Sequence, residues 1–479
     1  MAKANKTAIL WFRNDLRIHD NEALQDALES AEHIIPVYIF DPRVFFAKTK
    51  FGFPKVGKFR TKFIVESIQD LKANLQQLGS DLYIRIGNPE DEIFELARQV
   101  KSSCVFCNRE RTQEEVDVQD AMEHNLWTIG QELRYSRGKM LYYTSDLPFP
   151  VTHTPDIFTQ FRKEVEKYIP VRDPIESPTS MKKYDLVDID FGEVPALEDL
   201  GHEDFGANNK GGFTWKGGET EALNQLQYYL WDSDLVASYK ETRNELLGRD
   251  FSSKFSPWLA QGCLSPKMIY AELKRYELER TKNKSTYWLF FELLWRDFFR
   301  LTGKKYGNAI FQLGGIKKDA PGNTSVDRSL FAIWAEGRTG IPFIDANMKE
   351  LNATGFMSNR GRQNVASFLV NDLKLNWLLG AEYFESLLID YDPCSNYGNW
   401  NYIAGVGADP REDRYFNIIS QAKRYDPKGE YVKYWIPEIS EVPESCVHTV
   451  DRLSMEELGV YNVTLGKDYP QAIMSTSKW

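Results

Sequence analysis

The sequence predicts an α/β domain followed by an all-α domain, and three observations support this fold class. Short apolar runs alternate with helical stretches over residues 7–136, which is typical of a doubly wound parallel sheet. Residues 137–210 are rich in Pro, Gly and acidic residues and predict a long connector. Strand signals disappear from about Gly211 onward, where helical segments follow one another. The predicted units are residues 1–136, 137–210, 211–445 and a C-terminal segment, 446–479.

Five apolar runs of strand length define the first domain. They read TAILWF, IIPVYIF, DLYIRI and SCVFC, with ELRYS as a fifth candidate. Residues 58–78 and 89–101 carry the helical pattern between them. This alternation implies a parallel sheet with helices on both faces. The turn after the first run, RNDLRIHDNEAL, contains neither GxGxxG nor GxxxxGK[ST], so the usual phosphate-binding loops are absent from it.

The second half is predicted to be helical and rich in aromatic residues. A short helix is expected near FTQFRKEVEKY in the connector. Ten of the twelve tryptophans lie from Trp215 onward, which predicts a large aromatic core. The helical segments of this half are 218–231, 257–262, 266–280, 285–302, 327–337, 342–354, 362–375 and 380–389.

Composition and charge narrow the class of protein. A net charge of −10 argues against a protein that coats nucleic acid, although a local basic groove is compatible with it. The five cysteines suggest no disulfide framework, and Cys104 and Cys107 are expected to be buried strand residues because no further zinc ligands are suitably spaced. No signal peptide and no run of about 18 apolar residues is found, so we expect a soluble protein without a membrane span. The expected compartment is the cytoplasm, with an organelle or the nucleus as alternatives.

The segment STYWLFFELLWRDFFRL (285–301) is apolar on all sides but contains charged residues. Glu292 and Arg296 are four positions apart in the sequence, so they would share a helix face. One interpretation is an internal ion pair; the other is a buried polar pocket for a large, flat ligand. All six histidines lie outside residues 203–447, so chemistry in this domain would depend on a cofactor with its own reactivity.

Two further segments carry charges that need partners. In FSSKFSPWL (251–259), Ser256 is a candidate N-cap before Pro257, and the preceding serines and lysine could hold a phosphate; an ordinary helix start is the alternative. In FMSNRGRQN, Asn359, Arg360 and Arg362 begin an apolar helix, where positive charge opposes the helix dipole. Asp390 and Asp392 follow the C-terminus of another helix. We expect these charges to pair with one another or with a ligand, and a structural Arg362–Asp390 salt bridge is expected in either case.

These segments together resemble the photolyase/cryptochrome family, and within it the DASH-type cryptochromes. The resemblance rests on ILWFRNDLRIHDN, FSSKFSPWLAQGCLSP, FELLWRDFFR, TGFMSNRGRQNVASFLVNDL and DYDPCSNYGNWNYIAGVGADPREDRYFN. It extends from about residue 6 to residue 438. The strings YDPCSNYGNW and GADPREDRYFN are its most specific parts.

The resemblance implies non-covalent FAD in the helical domain and an antenna chromophore between the domains. The residues it assigns to the diphosphate and ribityl chain are Tyr239, Ser252, Ser253, Lys254, Phe255 and Ser256. Those it assigns to the flavin pocket are Glu292, Arg296, Asn359, Arg362, Asp390, Asp392 and Asn396. The expected antenna is 5,10-methenyltetrahydrofolate, with Glu110 as its carboxylate contact; a surface glutamate is the alternative.

The same resemblance assigns roles in catalysis, electron transfer and DNA binding. The residues it assigns to catalysis are Glu292, Trp295, Asn359, Asn396 and Tyr402. The electron-transfer residues are Trp400 and Trp377, and the basic strip for DNA comprises Arg411, Arg414, Lys423 and Arg424.

Three departures from the family pattern qualify this assignment. Thr324 occupies the position of the usual outermost tryptophan, so a radical on Trp377 would recombine unless a reductant or another aromatic residue intercepts it. Tyr402 replaces the second lesion-contacting tryptophan of duplex-acting relatives. Asn359 and Gln363 replace the paired histidines of 6-4 photolyases.

The resemblance favours a light-driven lyase that splits cyclobutane pyrimidine dimers, preferentially in single-stranded DNA, by electron transfer from excited reduced FAD. The alternative is a non-catalytic blue-light receptor. A nucleotide-hydrolysing enzyme is disfavoured because the phosphate-binding loop is missing. The expected partner is single-stranded DNA that contains dimers; a monomer without a metal is expected.

Overall fold

The first half of the chain is built on a five-stranded parallel sheet. This computed structural model describes residues 6–206, 210–318, 322, 324–407 and 415–479. The strands are β1 (Thr7–Phe12), β2 (His33–Phe40), β3 (Tyr83–Ile86), β4 (Val105–Asn108) and β5 (Leu133–Ser136). Their order is β3-β2-β1-β4-β5, and all neighbours are parallel. The predicted parallel sheet is therefore confirmed, including its fifth strand.

Helices cover both faces of this sheet. They are α1 (Glu22–Ser30), α2 (Pro42–Phe45), α3 (Lys58–Gln77), α4 (Pro89–Val100) and α5 (Gln113–Thr128). Side chains of β1 alternate between two cores: Leu10 and Phe12 belong to one, Ile9 and Trp11 to the other. Every residue of β1 is buried, as expected for a strand covered on both sides. Cys104 and Cys107 are buried and form no disulfide, as predicted; Cys107 lies in β4, whereas Cys104 immediately precedes that strand.

The remainder of the chain is helical. The helices are α6 (Phe158–Tyr168), α7 (Glu219–Gln227), α8 (Tyr239–Thr242), α9 (Ser256–Gln261), α10 (Pro266–Glu279), α11 (Lys284–Tyr306), α12 (Arg328–Ala335), α13 (Pro342–Thr354), α14 (Asn359–Ser367), α15 (Trp377–Leu387), α16 (Pro393–Ile403), α17 (Ile418–Tyr425), α18 (Glu430–Trp435) and α19 (Met455–Val460). Single π turns follow α7 and α14, which accounts for the longer predicted segments there. The proposed domain boundaries at residues 136, 210 and 445 stay predictions.

Helix α11 holds the two halves together. Asn283 caps its N-terminus by accepting hydrogen bonds from the amides of Ser285 and Thr286. The buried Asp297 accepts from the backbone amides of Leu141 and Tyr142 in the connector, at 3.1 and 2.8 Å. The charge of Asp297 is thus hydrogen-bonded, which is the condition for burying a carboxylate.

Within the described part of the chain, no helix is long and apolar enough to cross a membrane.

Candidate functional site

Helices α14, α15 and α16 enclose a pocket that contains most of the residues assigned to the flavin. Its lining includes Asn359, Arg362, Gln363, Asp390, Asp392, Asn396 and Trp400. These residues come from three separate segments of the sequence. The structure therefore brings together charges that the sequence places unfavourably at the ends of different helices.

The predicted Arg362–Asp390 ion pair is present. The guanidinium lies 2.8 Å from Oδ2 of Asp390, and Nε of Arg362 donates to the carbonyl of Met357. The Asp390 side chain is 3% exposed. Its other oxygen, Oδ1, is buried and has no hydrogen-bond partner among the described residues. A buried acceptor of this kind fits a ligand that brings N–H or O–H donors, as a flavin and its ribityl chain do.

Asp392 has a different role from the one expected. It does not oppose the dipole of the preceding helix, because it is the N-cap of α16 and accepts from the amide of Ser395 at 2.8 Å. Its carboxylate also lies 2.8 Å from the buried Arg300. Burial would raise the pKa of Asp392, but Arg300 and Arg296 hold it below its usual value.

The internal Glu292–Arg296 ion pair, one of the two interpretations of their spacing, is absent. Glu292 pairs instead with Arg243, at 2.7 Å. Arg296 donates to the carbonyls of Lys139 and Leu259, at 2.8 and 3.2 Å, so it joins the connector to the helical half. Burial raises the pKa of Glu292, although Arg243 opposes this shift. Burial, reinforced by Arg300, lowers the pKa of Arg296 to about 10.

The FSSKF segment is a strained loop rather than a capped helix start. Ser252 and Lys254 both adopt left-handed conformations with φ of 60°. Such strain in residues other than glycine concentrates at functional sites. Ser256 is exposed and lies inside α9, whose N-cap is Phe255 without a side-chain hydrogen bond, so the predicted Ser256 cap is wrong.

Neighbouring residues hold this loop in place. Gln225 donates to the carbonyl of Ser253 at 3.2 Å. The Lys254 side chain is buried, with its amine over the Phe356 ring, and its burial lowers its pKa. Tyr239 is also buried and lies edge-on to Tyr229. A buried lysine on a strained loop fits the diphosphate of a dinucleotide, which would restore full charge to the amine.

Trp295 and Tyr402 are in contact, but their rings do not face each other across a gap. Their centroids lie 5.9 Å apart at an interplanar angle of 78°. One face of Trp295 is covered by Phe158 of α6, stacked at 3.7 Å. The two residues therefore form an L-shaped wall.

The two tryptophans assigned to electron transfer lie on adjacent helices. Trp377 begins α15, and its indole N–H donates to the carbonyl of Leu313. Trp400 lies on α16 and packs on Gly380, where an added Cβ would come within 2.2 Å of the indole ring. Both indoles are buried. Thr324 is exposed and precedes Ser325, whose carbonyl accepts from the amide of Asn376 at 2.8 Å.

Glu110 is buried between the two halves, so the surface-glutamate alternative is wrong. Its carboxylate pairs with Lys139 and lies 3.4 Å from Arg300. Burial alone would raise the pKa of Glu110, but Lys139, Arg13 and Arg300 lower it to about 2. Because Arg300 also contacts Asp392, a continuous chain of ion pairs joins the interdomain cleft to the pocket.

A basic cluster lies close to this cleft. Burial, together with repulsion from Arg111, Arg109 and Arg137, lowers the pKa of Lys304 to about 8. Burial likewise lowers the pKa of Arg111 to about 10. Cations that repel one another in this way are stabilised by an anionic ligand.

Two of the four residues assigned to DNA can be located. Arg411 and Arg414 lie outside the described residues. Lys423 and Arg424 are exposed on the last turn of α17, where positive charge also favours the helix dipole. Arg424 and Arg360 both lie over the ring of Tyr425, at 5.4 and 4.5 Å. The exposed strip thus continues through Arg360 to Asn359 at the pocket.

Arg243, Arg300 and Lys139 complete the site and were not assigned from the sequence. Arg243 follows Tyr239 by four residues, and Arg300 follows Arg296 by four, so helical spacing was an available signal for both. Lys139 comes from the connector and had no such signal. Among the described residues, no group of three or more His, Cys, Asp or Glu side chains is arranged to hold a metal ion.

Comparison with known proteins shows likeness across both halves of the chain. Residues 8–179 match the family model "DNA photolyase", and residues 288–479 match "FAD binding domain of DNA photolyase". A Danio rerio protein named cryptochrome DASH is 48% identical over 479 residues, covering 99% of this chain and 92% of that protein. The crystal structure of Synechocystis sp. PCC6803 cryptochrome aligns with a TM-score of 0.95 at 46% identity, covering 100% of this chain and 98% of the other. A class III photolyase from Agrobacterium tumefaciens aligns with a TM-score of 0.86 at 27% identity, covering 100% and 96%.

Proposed function

Because the chain belongs to the photolyase/cryptochrome family, we propose that it repairs cyclobutane pyrimidine dimers in single-stranded DNA under blue light. The observation that carries this proposal is the Glu292–Arg243 pair, held one helical turn from the Trp295–Tyr402 wall. A carboxyl group that is partly buried, and tied by an arginine, is suited to hydrogen-bond a pyrimidine edge. Residues with packing roles alone would not need a charge there.

The chain's own residues hold and orient the reactants. FAD bound in this pocket would supply the light-driven electron-transfer chemistry. Asp390 would offer its free Oδ1 to a donor of the flavin, and Arg362 fixes that carboxylate. Asn396 donates its amide N–H to the carbonyl of Ala381, which fixes its side chain in the lining of the pocket, where it would contact the flavin. Lys254 and the strained Ser252 region would hold the diphosphate.

The geometry of the aromatic wall supports a preference for single strands. A base in a duplex must be extruded before it reaches the pocket, at a cost of a few kcal/mol that unpaired DNA avoids. Stacking would offset about 1–3 kcal/mol of that cost per base. Since Phe158 already covers one face of Trp295 and Tyr402 meets it edge-on, little ring surface remains for stacking. Duplex extrusion is therefore poorly compensated.

The proposed test compares repair of one thymine dimer in matched single-stranded and duplex oligonucleotides. A purified protein that releases FAD on heating is the first requirement. We expect light-dependent repair that is much faster on the single strand. In Phe158→Ala, which uncovers a Trp295 face, the duplex-to-single-strand ratio should rise; in Tyr402→Trp it should rise less. Equal rates on both substrates for the wild-type protein would refute the preference.

The outcome also separates repair from signalling. A protein with full flavin and no repair on either substrate would be a blue-light receptor, which is the second function that this pocket supports. Retention of the Glu292–Arg243 pair favours repair, since flavin photochemistry alone does not require it.

We further propose that the interdomain cleft binds 5,10-methenyltetrahydrofolate as an antenna. The buried Glu110 would accept from the pterin ring, as carboxylates do in pterin sites, and the Lys304 cluster would bind the folate's glutamate carboxylates. Glu110→Gln should lose the near-ultraviolet absorption of the antenna and keep the flavin spectrum. Retention of the near-ultraviolet antenna absorption in Glu110→Gln would refute the assignment.

A further inference from the structure

Tyr397 and Glu385 stand beside the electron-transfer tryptophans and have no role in the site described above. Tyr397 lies on α16, one turn before Trp400, and its ring meets that of Trp377 edge-on with centroids 6.2 Å apart. Tyr397 is 6% exposed. Its hydroxyl donates to Oε2 of Glu385 at 3.0 Å. One phenol thus contacts both an indole and a carboxylate.

From this geometry we infer that Tyr397 is the terminal electron donor of the chain, with Glu385 as its proton acceptor. The inference rests on the proposed flavin photochemistry. In the flavin-loaded protein, light excitation of the oxidised flavin would draw an electron through Trp400 from Trp377 and leave a radical cation on Trp377. Tyr397 then gives one electron to Trp377, and its phenolic proton passes to Glu385. The Tyr397 O–H bond breaks, an O–H bond forms on the carboxylate, and Trp377 is restored.

The surroundings of the pair favour this transfer. Burial raises the pKa of Tyr397, so the phenol keeps its proton until it is oxidised. An oxidised phenol is a strong acid, and in a buried site it needs a base within hydrogen-bond reach. Burial also raises the pKa of Glu385, which makes this carboxylate a better proton acceptor. After the step, Trp377 and Glu385 are both neutral, so the transfer leaves no charge on the indole or on the carboxylate.

Other groups around Glu385 are compatible with the transfer. Arg60 opposes the burial effect on Glu385 and lies over the ring of Tyr391 at 4.6 Å. Glu385 is only partly buried, so its new proton can reach solvent. Thr324, at the usual outer position, is a hydroxyl residue that an indole radical cannot oxidise. Tyr397 therefore supplies from inside the fold what position 324 lacks.

The test is flash photolysis of the flavin-loaded protein without added reductant, with radical identity read from transient absorption and electron paramagnetic resonance. We expect the wild-type tryptophan radical to be replaced by a tyrosyl radical, more slowly in heavy water. Tyr397→Phe should lose the tyrosyl signal and recombine rapidly. Glu385→Gln keeps a hydrogen-bond acceptor but cannot take the proton at neutral pH, so it should lose or slow the tyrosyl signal.

Tyr276→Phe is the matched control. Tyr276 is also buried, donates to the Asp234 carboxylate and meets the Trp231 ring at 5.6 Å, but it lies on α10. This variant should behave as the wild type does. An unchanged tryptophan radical in Tyr397→Phe would overturn the inference and leave the flavin photochemistry intact. Absence of any light-induced tryptophan or tyrosyl radical in flavin-loaded wild-type protein would also overturn the inference, whereas the proposed function is tested separately by dimer repair with reduced FAD.

Discussion

Replacing Arg362 by alanine should empty the flavin pocket, because it isolates the Asp390 carboxylate. Asp390 is 3% exposed, Oδ2 would lose its 2.8 Å partner, and Oδ1 already has none among the described residues. Both oxygens would then be buried without the cation that offsets their desolvation. Removing one partner of a buried ion pair costs on the order of 3–5 kcal/mol.

The partial exposure of Arg362 refines this magnitude. Its side chain is 25% exposed, so water can enter after its removal and the cost should fall near the lower limit. We therefore expect a loss of about 3 kcal/mol, which is roughly a hundredfold in the folding equilibrium.

The assay is urea denaturation of the flavin-free proteins, together with the flavin content of freshly purified samples. Arg362→Ala should bind little FAD and be destabilised by about 3 kcal/mol. Arg338→Ala is the control, since its ion pair with Glu336 is about half exposed and should contribute at most about 1 kcal/mol. The double variant Arg362→Ala/Asp390→Asn should recover part of the loss. Near-normal flavin content in Arg362→Ala would refute the reasoning.

Three other predictions concern the interdomain cleft, the electron-transfer residues and the basic strip assigned to DNA binding. The pKa of Glu110 is lowered from 4.5 to about 2, so its ionised form contributes about 3 kcal/mol to stability above pH 4.5, and this contribution is lost as the pH falls toward 2. In pH-dependent unfolding, Glu110→Gln should therefore lose less stability than the wild type does as the pH falls through this range. The control Glu95→Gln changes an exposed residue and should behave as the wild type does. Thr324→Trp places an indole next to Ser325, whose carbonyl is hydrogen-bonded to the amide of Asn376, the residue before Trp377. In a Tyr397→Phe background this change should restore long-lived charge separation. An unchanged rate of radical recombination in flash photolysis would contradict this. Arg424→Ala should weaken binding to all single-stranded sequences, and the dependence of log affinity on log salt concentration should fall by about one phosphate contact, as measured by fluorescence anisotropy. An unchanged salt dependence would show that Arg424 does not contact the DNA backbone.

The fold could be predicted from the sequence because its signals are local. The run TAILWF is β1 to the residue, and the segment FTQFRKEVEKY is α6. Hydrophobic period and Gly/Pro punctuation act over a few residues, so both can be seen without tertiary contacts. The π turns after α7 and α14 were missed because their pattern is still helical.

Ion-pair partners could be predicted only in part. Arg362 and Asp390 were paired correctly because both were unfavourably placed at helix ends. Spacing along one helix suggested Arg296 as one possible partner of Glu292, whereas the structure pairs Glu292 with Arg243 from a different segment. Asp392 looked misplaced after α15 because its function as the cap of α16 depends on where the next helix begins. Partners from other segments follow from packing, which sequence spacing does not contain.

The burial of Glu110 could not be foreseen for the same reason. After a strand, a glutamate is usually exposed. Here Lys139 of the connector and Arg300 of α11 converge on it from segments 29 and 190 residues away. The sequence indicated charged residues in α11 but not the side of the molecule to which each one points.

Light-dependent dimer repair by the flavin-loaded protein tests the central claim most directly. The measurement is the number of dimers restored per protein molecule in a single-stranded oligonucleotide, under blue light and in the dark, for the wild type and Glu292→Gln with equal flavin content. We expect many turnovers in light for the wild type, none in the dark, and a strong loss for Glu292→Gln. No restored dimers in light, with reduced flavin bound to the wild-type protein, would contradict it.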